Sequence, residues 1–371
     1  MTDALLIHIG DCKAGSTSIQ TVLRDGSWTA PGEVRGGGGS RPLRYAATGR
    51  DDGLNHHMLS NSLFIEGLAE RRPLMHKALA SEAAESASPL LVLSSERYEF
   101  APPEALAEAL RRNLPDLPVR LIAYVRPHAE RLVSGWSQQV KQGLFAGSLE
   151  AFHDATLAEG RFRYAPRLRA WRAAFGDRLE VRPMIRARLT GGCAAHDFLT
   201  WALGEGAAPS APVETNASPR LPDLALLARL GAEGPAGRRL AAALAGAMER
   251  AGPASGPAPA LSRALAAQSA RDYAEDAAAV DAEQLAAPAL AEALAAAPDR
   301  APESAPGLDA PGLISPETAR LHALWIEAAT VALRAGPGHG PRRGGGGPGA
   351  AAAQGPQRIA GRGRPAPAGA R

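Results

Sequence analysis

Cysteine is scarce in this chain of 371 residues, which has two, Cys12 and Cys193. Two thiols build no disulfide framework, and neither stands at a metal-ligand spacing from a histidine. Missing as well is any run of about 18 apolar residues, the length a membrane-spanning helix needs. The opening Met1-Thr2-Asp3 has no basic residue, and the apolar run behind it is too short for the hydrophobic region of a secretory signal. These absences set the expectation of a reduced, metal-free, cytoplasmic protein. The C-terminal tail lacks acid. After Arg334 there is no Asp or Glu, while Arg342, Arg343, Arg358, Arg362, Arg364 and Arg371 follow. Without those six arginines the formal net charge of +3 becomes −3 for residues 1–334. The pI near 9.1 therefore belongs to a tail, and a nucleic-acid partner is not expected of the body.

An apolar fraction of 45% with 21% charged residues is that of a globular chain long enough to bury a core. Residues 4–9, 89–94 and 118–125 are short, largely apolar runs, as buried parallel strands are, and 178–184 adds a further strand. Helical patterns lie between them, for example 103–113, opened by Pro102-Pro103 and ending near Asn113. Alternating strand and helix predicts an α/β fold, a parallel sheet with helices on both faces. Residues 29–53, including Gly36 to Gly39, read as a long flexible excursion. From about residue 205 the composition shifts to Ala, Pro and Gly, with helical pieces at 221–250, 260–300 and 316–335. The expected division is an α/β domain over 1–235, an Ala-rich helical extension over 236–335 and a disordered Gly/Pro/Arg tail over 336–371.

The first strand runs into Gly10-Asp11-Cys12-Lys13-Ala14-Gly15-Ser16-Thr17-Ser18. The two glycines keep the spacing of a Walker A loop, but Ser16 stands where that loop has its lysine, and Lys13 comes three residues earlier. A helix should follow, capped by Ser16 or Thr17. Tight turns, inward N–H groups and a helix N-terminus predict an anion of phosphate size as the guest. Cys12 lies inside the loop, where the dipole and Lys13 should lower its pKa.

The second motif is Val125-Arg126-Pro127-His128-Ala129-Glu130-Arg131-Leu132-Val133-Ser134. An apolar strand ends at Arg126, Pro127 opens a helix, and Ser134 follows about two turns on. A guanidinium and a hydroxyl so placed can meet on one phosphate. The alternative has Arg126 and Arg131 as surface charges and Ser134 as a small packing residue.

Together these segments resemble sulfotransferases that use 3′-phosphoadenosine-5′-phosphosulfate (PAPS). Lys13, Gly15, Ser16 and Thr17 match that family's 5′-phosphosulfate loop, while Ala14 departs from its usual hydroxyl. Arg126 and Ser134, eight apart, match the 3′-phosphate motif, and Gln138, Val140, Lys141 and Gly143 resemble its continuation in bacterial members. Tyr164, Arg167, Leu168, Trp171 and Phe175 resemble the helix before a late strand, and Asn216-Ala217-Ser218 a turn after the core. The resemblance covers about residues 4–235. It implies a P-loop-NTPase-like fold, PAPS as co-substrate held by residues 13–17, Arg126 and Ser134, no metal, and sulfuryl transfer to a hydroxyl or amine of a carbohydrate or small molecule.

Such transfer needs a cation, for which Lys13 is placed, and a base for the acceptor proton. Glu96 ranks first, at the end of the strand over 89–94, because ligand-facing residues gather at the carboxyl ends of parallel strands. The resemblance agrees, since the family places a His or Glu there. His56 and His57 rank second. His8 reads as a buried residue, Arg97 and Glu99 as solvated. Two other readings stay open: a P-loop kinase or NTPase, and a non-catalytic binding protein on a degenerate sulfotransferase fold.

Overall fold

The computed structural model describes residues 2–31, 42–50, 53–213, 219–252 and 255–335. Gly36 to Gly39, Asn216-Ala217-Ser218 and the tail over 336–371 lie outside the described residues. Five strands form one parallel sheet: β1 (Ala4–His8), β3 (Leu43–Tyr45), β4 (Leu90–Ser94), β5 (Val119–Val125) and β6 (Leu179–Pro183), in the order β3-β4-β1-β5-β6. Short β2 (Trp28–Thr29) and β7 (Ala208–Pro209) pair antiparallel beside it. The four longer strands fall where the apolar runs predict. β3, inside the expected excursion, escapes the pattern because it has three residues.

Leu5, Leu6 and Ile7 of β1 are wholly buried, as a central strand covered on both faces requires. Alternation sends Leu6, Val92, Ile122 and Tyr124 to one face, against α1 (Ser16–Asp25) and α8 (Ala194–Leu203). Leu5, Ile7, Leu91, Leu93 and Leu121 go to the other face, with helices α4 (Pro103–Asn113), α5 (His128–Lys141) and α7 (Tyr164–Phe175). After β4 the chain crosses β1 to reach β5, so the loops following β1, β4 and β5 converge at one end of the sheet. That is where open α/β sheets bind ligands.

The Ala-rich region contributes to this same core. Leu265 of α11 (Arg263–Asp272), Ala277 and Val280 of α12 (Ala274–Gln284), and Leu290 and Leu294 of α13 (Leu290–Ala295) share one buried cluster with Leu5 and Ile7. Asp276 of α12 accepts the backbone N–H groups of Tyr164 (2.8 Å) and Ala165 (3.0 Å). It also stands 2.9 Å from His128 Nε2. One carboxylate thus caps α7 and pins the start of α5. Residues 261–297 are in this way built into the sheet domain rather than set beside it.

Candidate anion and proton-transfer site

The loop after β1 is shaped by three residues in the left-handed region: Gly10 (φ 101°), Lys13 (φ 64°) and Gly15 (φ 86°). A Cβ on Gly15 would fall 2.6 Å from that of Ala194, so α8 packs directly on the turn. Among the described residues Lys13 is the one non-glycine with positive φ, a conformation that costs of order 1 kcal/mol and clusters at functional sites. No side chain caps α1, contrary to the expectation for Ser16 or Thr17: Gly15 is the cap residue. Ser16 Oγ turns back to Asp11 O (3.3 Å), and Thr17 is exposed. The positive end of α1 is left for another acceptor. The methyl of Ala14 is fully buried in the α1–α8 layer, so a hydroxyl there would not face the loop's mouth.

Lys13 Nζ donates to Gln138 Oε1 (3.1 Å), which joins the loop to α5. Its ammonium is pushed below the ordinary lysine range by desolvation, then by the like charges of Lys141, Arg126 and Arg131. Arg126, at the end of β5, has a buried Nε with no hydrogen-bond partner. Its nearest carboxylate oxygen, on Glu130, is 3.8 Å away. Desolvation lowers its pKa and Glu130 only partly offsets that. Ser134 is half-buried, its hydroxyl resting on Arg131 O (3.2 Å). The structure therefore brings the two motifs together as a concentration of positive charge around the start of α1.

Beneath the loop lies a charged network that the sequence hid. Arg131 is not a surface charge: it is 2% exposed and meets Glu99, itself 6% exposed, at 3.0 Å. Glu99 Oε2 also accepts the N–H of Cys12 (3.0 Å), so Glu99 is not solvated as expected. Arg97 is likewise partly buried, its guanidinium over the rings of Phe64 and Phe100. Arg167 from α7 reaches buried Asp11 at 2.6 Å. Burial raises the Asp11 carboxyl, against the pull of Arg167. The expectation for Cys12 is reversed: burial, then Glu99, pushes its thiol well above the ordinary range.

Glu96 follows β4 and stands 3.1 Å, through Oε1, from His57 Nε2. Its Oε2 accepts from Gln20 Nε2 of α1 (2.9 Å). Burial alone would raise the Glu96 carboxyl, but His57 and Gln20 hold it down at about 2. His56 does not share this place. It is fully buried, with Nε2 3.0 Å from Ala46 O and Nδ1 within reach of the Ser94 backbone, and burial lowers it to about 4. Its ring ties the end of β3 to the end of β4 and is spent on backbone. His8 is buried as expected, bonded to Ser94 Oγ (2.8 Å) and lowered to about 4 by burial.

Comparisons with known proteins add one likeness. No protein-family model matches the sequence, and no curated protein matches it. Among solved structures the chain is similar to a sulfotransferase from Alicyclobacillus acidocaldarius, with a TM-score of 0.37 and 16% identity over 61% of this chain and 88% of that one.

Proposed function

We propose that the protein transfers a sulfuryl group from PAPS to a hydroxyl or amine of a carbohydrate or small-molecule acceptor. The observation that carries this reading is a pair of features suited to anions: the uncapped α1 turn with Lys13, and the buried Nε of Arg126, which has no hydrogen-bond partner and only a long ion pair to Glu130 at 3.8 Å. A buried donor without an acceptor costs about 1–3 kcal/mol, which an anionic ligand recovers. PAPS has an anion at each end of its ribose. Lys13 and the N–H groups of residues 15–17 suit the 5′-phosphosulfate, and Arg126 with Ser134 the 3′-phosphate; the Ala14 N–H is already given to Asp11 O (3.2 Å). A P-loop kinase fits less well, since Ser16 holds the lysine position and β4 ends in Ser94, followed by Ser95, without the aspartate that holds magnesium in such proteins.

In the transfer, the bond from sulfur to the 5′-phosphate oxygen breaks as the acceptor oxygen or nitrogen bonds to sulfur. Lys13 meets charge developing on the leaving phosphate. The acceptor proton goes to His57, oriented by Glu96. A carboxyl held at about 2 is itself too weak a base for this work. Calorimetric titration with 3′-phosphoadenosine 5′-phosphate, ATP with magnesium, GTP and NAD tests the reading. The bisphosphate should bind at least tenfold more tightly than the others, roughly the value of one charged hydrogen bond. Tighter binding of ATP with magnesium would transfer the case to a kinase.

A further inference from the structure

Next to the phosphate loop the surface opens into a recess of about 430 Å³, walled by Phe100 and Pro166 and by Arg161, Arg163 and Arg167. Its position ties it to the chemistry. Glu99, also on its lining, holds the Cys12 N–H, and Phe100 comes four residues after Glu96. Arg167 forms part of the floor and reaches Asp11 at the head of the loop.

The charges of this recess do not cancel. Glu99 is matched by Arg131 and Asp11 by Arg167. Arg161 and Arg163 enter no ion pair among the described residues, and Nη1 of Arg167 is buried without a hydrogen-bond partner. The N-terminus of α7 adds no free donor at Tyr164 or Ala165, because Asp276 takes both N–H groups. An anion here would be held by guanidinium groups, which recognise carboxylate or sulfate oxygens in a planar, paired fashion. Gly160 makes the presentation possible: at φ +63° it turns the chain so that Arg163 N–H bonds Gly160 O (3.2 Å), and Arg161 and Arg163 face the same opening. Phe100 and Pro166 supply apolar faces for a ring.

We propose that this recess is the acceptor subsite and that it selects an acceptor bearing an acidic group: a ring of sugar or aryl size carrying a carboxylate or sulfate beside the hydroxyl that is modified. This rests on the sulfuryl-transfer reading for what happens to the hydroxyl, and on the recess alone for the charge preference.

Four probes test it by ligand-observed NMR titration, with and without 3′-phosphoadenosine 5′-phosphate: methyl glucuronide and its methyl ester, and 4-hydroxyphenylacetate and its methyl ester. Each pair differs in one negative charge, and the two pairs separate a sugar acid from an aryl acid. In at least one pair the acid should bind about tenfold or more tightly than its ester, the weight of one charged hydrogen bond. The double variant Arg161→Ala, Arg163→Ala should erase that preference while leaving affinity for the bisphosphate nucleotide unchanged. Equal binding of acid and ester in both pairs overturns the proposal, as does a preference that survives in the double variant. Failure of wild-type protein to bind the nucleotide counts against sulfuryl transfer alone, because the acid–ester comparison made without nucleotide still decides the subsite.

Discussion

The pairing of His57 with Glu96 makes a kinetic prediction sharp enough to assign the proton. Glu96 has one oxygen 3.1 Å from the imidazole and the other on Gln20, and its carboxyl is held at about 2 instead of 4.5. That difference corresponds to about 3 kcal/mol favouring the ionised form. Glu96 therefore stays charged throughout the working range, and in the proposed reaction it orients the ring. Removal of the base itself costs a general-base contribution, about 10²–10⁴ in kcat. His57→Asn should lose that factor with little change in nucleotide affinity. Glu96→Gln keeps the size of the side chain and loses its charge, so it should cost less, about tenfold, and should do so with His57 still required. Steady-state transfer of labelled sulfuryl from PAPS, alongside calorimetry of the bisphosphate nucleotide, measures both. If Glu96→Gln abolishes turnover while His57→Asn keeps most of it, the carboxylate takes the proton and the assignment is refuted.

Two other expectations concern the fold that holds the site. Asp276→Ala strips the N–H groups of Tyr164 and Ala165 and the ring of His128 of their acceptor, and should cost about 3 kcal/mol, read as a Tm lowered by several degrees; an unchanged Tm would contradict the role given to α12. Stability should also fall as pH drops from 6.5 towards 4. His8 and His56 resist protonation until about 4 in the folded state, whereas unfolded histidine gains its proton near 6.5, so each contributes up to about 3 kcal/mol above that window and loses it within. Asp11, raised by burial, acts in the opposite direction over part of the range and makes the net loss smaller than the two histidines' sum. Urea unfolding at about pH 7.5 and about pH 4.5 checks this, and equal midpoints would contradict it.

Strands β1, β4, β5 and β6 were legible because each is a local run of apolar residues buried on both faces, and burial of that kind leaves its mark in consecutive positions. The two strand-to-helix junctions, after β1 and after β5, were legible for the same reason, since each lies within a short stretch of the chain. What was hidden depends on partners far apart in the chain. Glu99 and Arg131 read singly as solvated charges, yet they neutralise each other 32 residues apart and anchor Cys12. Neighbouring histidines looked equivalent, but the turn after Asn55 sends His56 inward to the backbone of Ala46 and Ser94 and leaves His57 for Glu96. Asp276 had no visible signature at all, because the N–H groups it accepts and the ring it pairs with belong to α7 and α5. Alanine-rich α11 and α12 looked poor in core material, although Ala266 and Ala277 are only 1% and 0% exposed.

In the proposed reaction Lys13 and Arg126 hold two different anions of one nucleotide. Calorimetry of the Arg126→Ala variant with 3′-phosphoadenosine 5′-phosphate and with 5′-AMP tests it most directly. Wild-type protein should prefer the bisphosphate by about 100-fold, from about 3 kcal/mol of charged hydrogen bonds to the 3′-phosphate. Arg126→Ala should bring that preference down to a few-fold and leave 5′-AMP binding as it was. A variant that keeps the full preference would place the 3′-phosphate elsewhere and contradict the account.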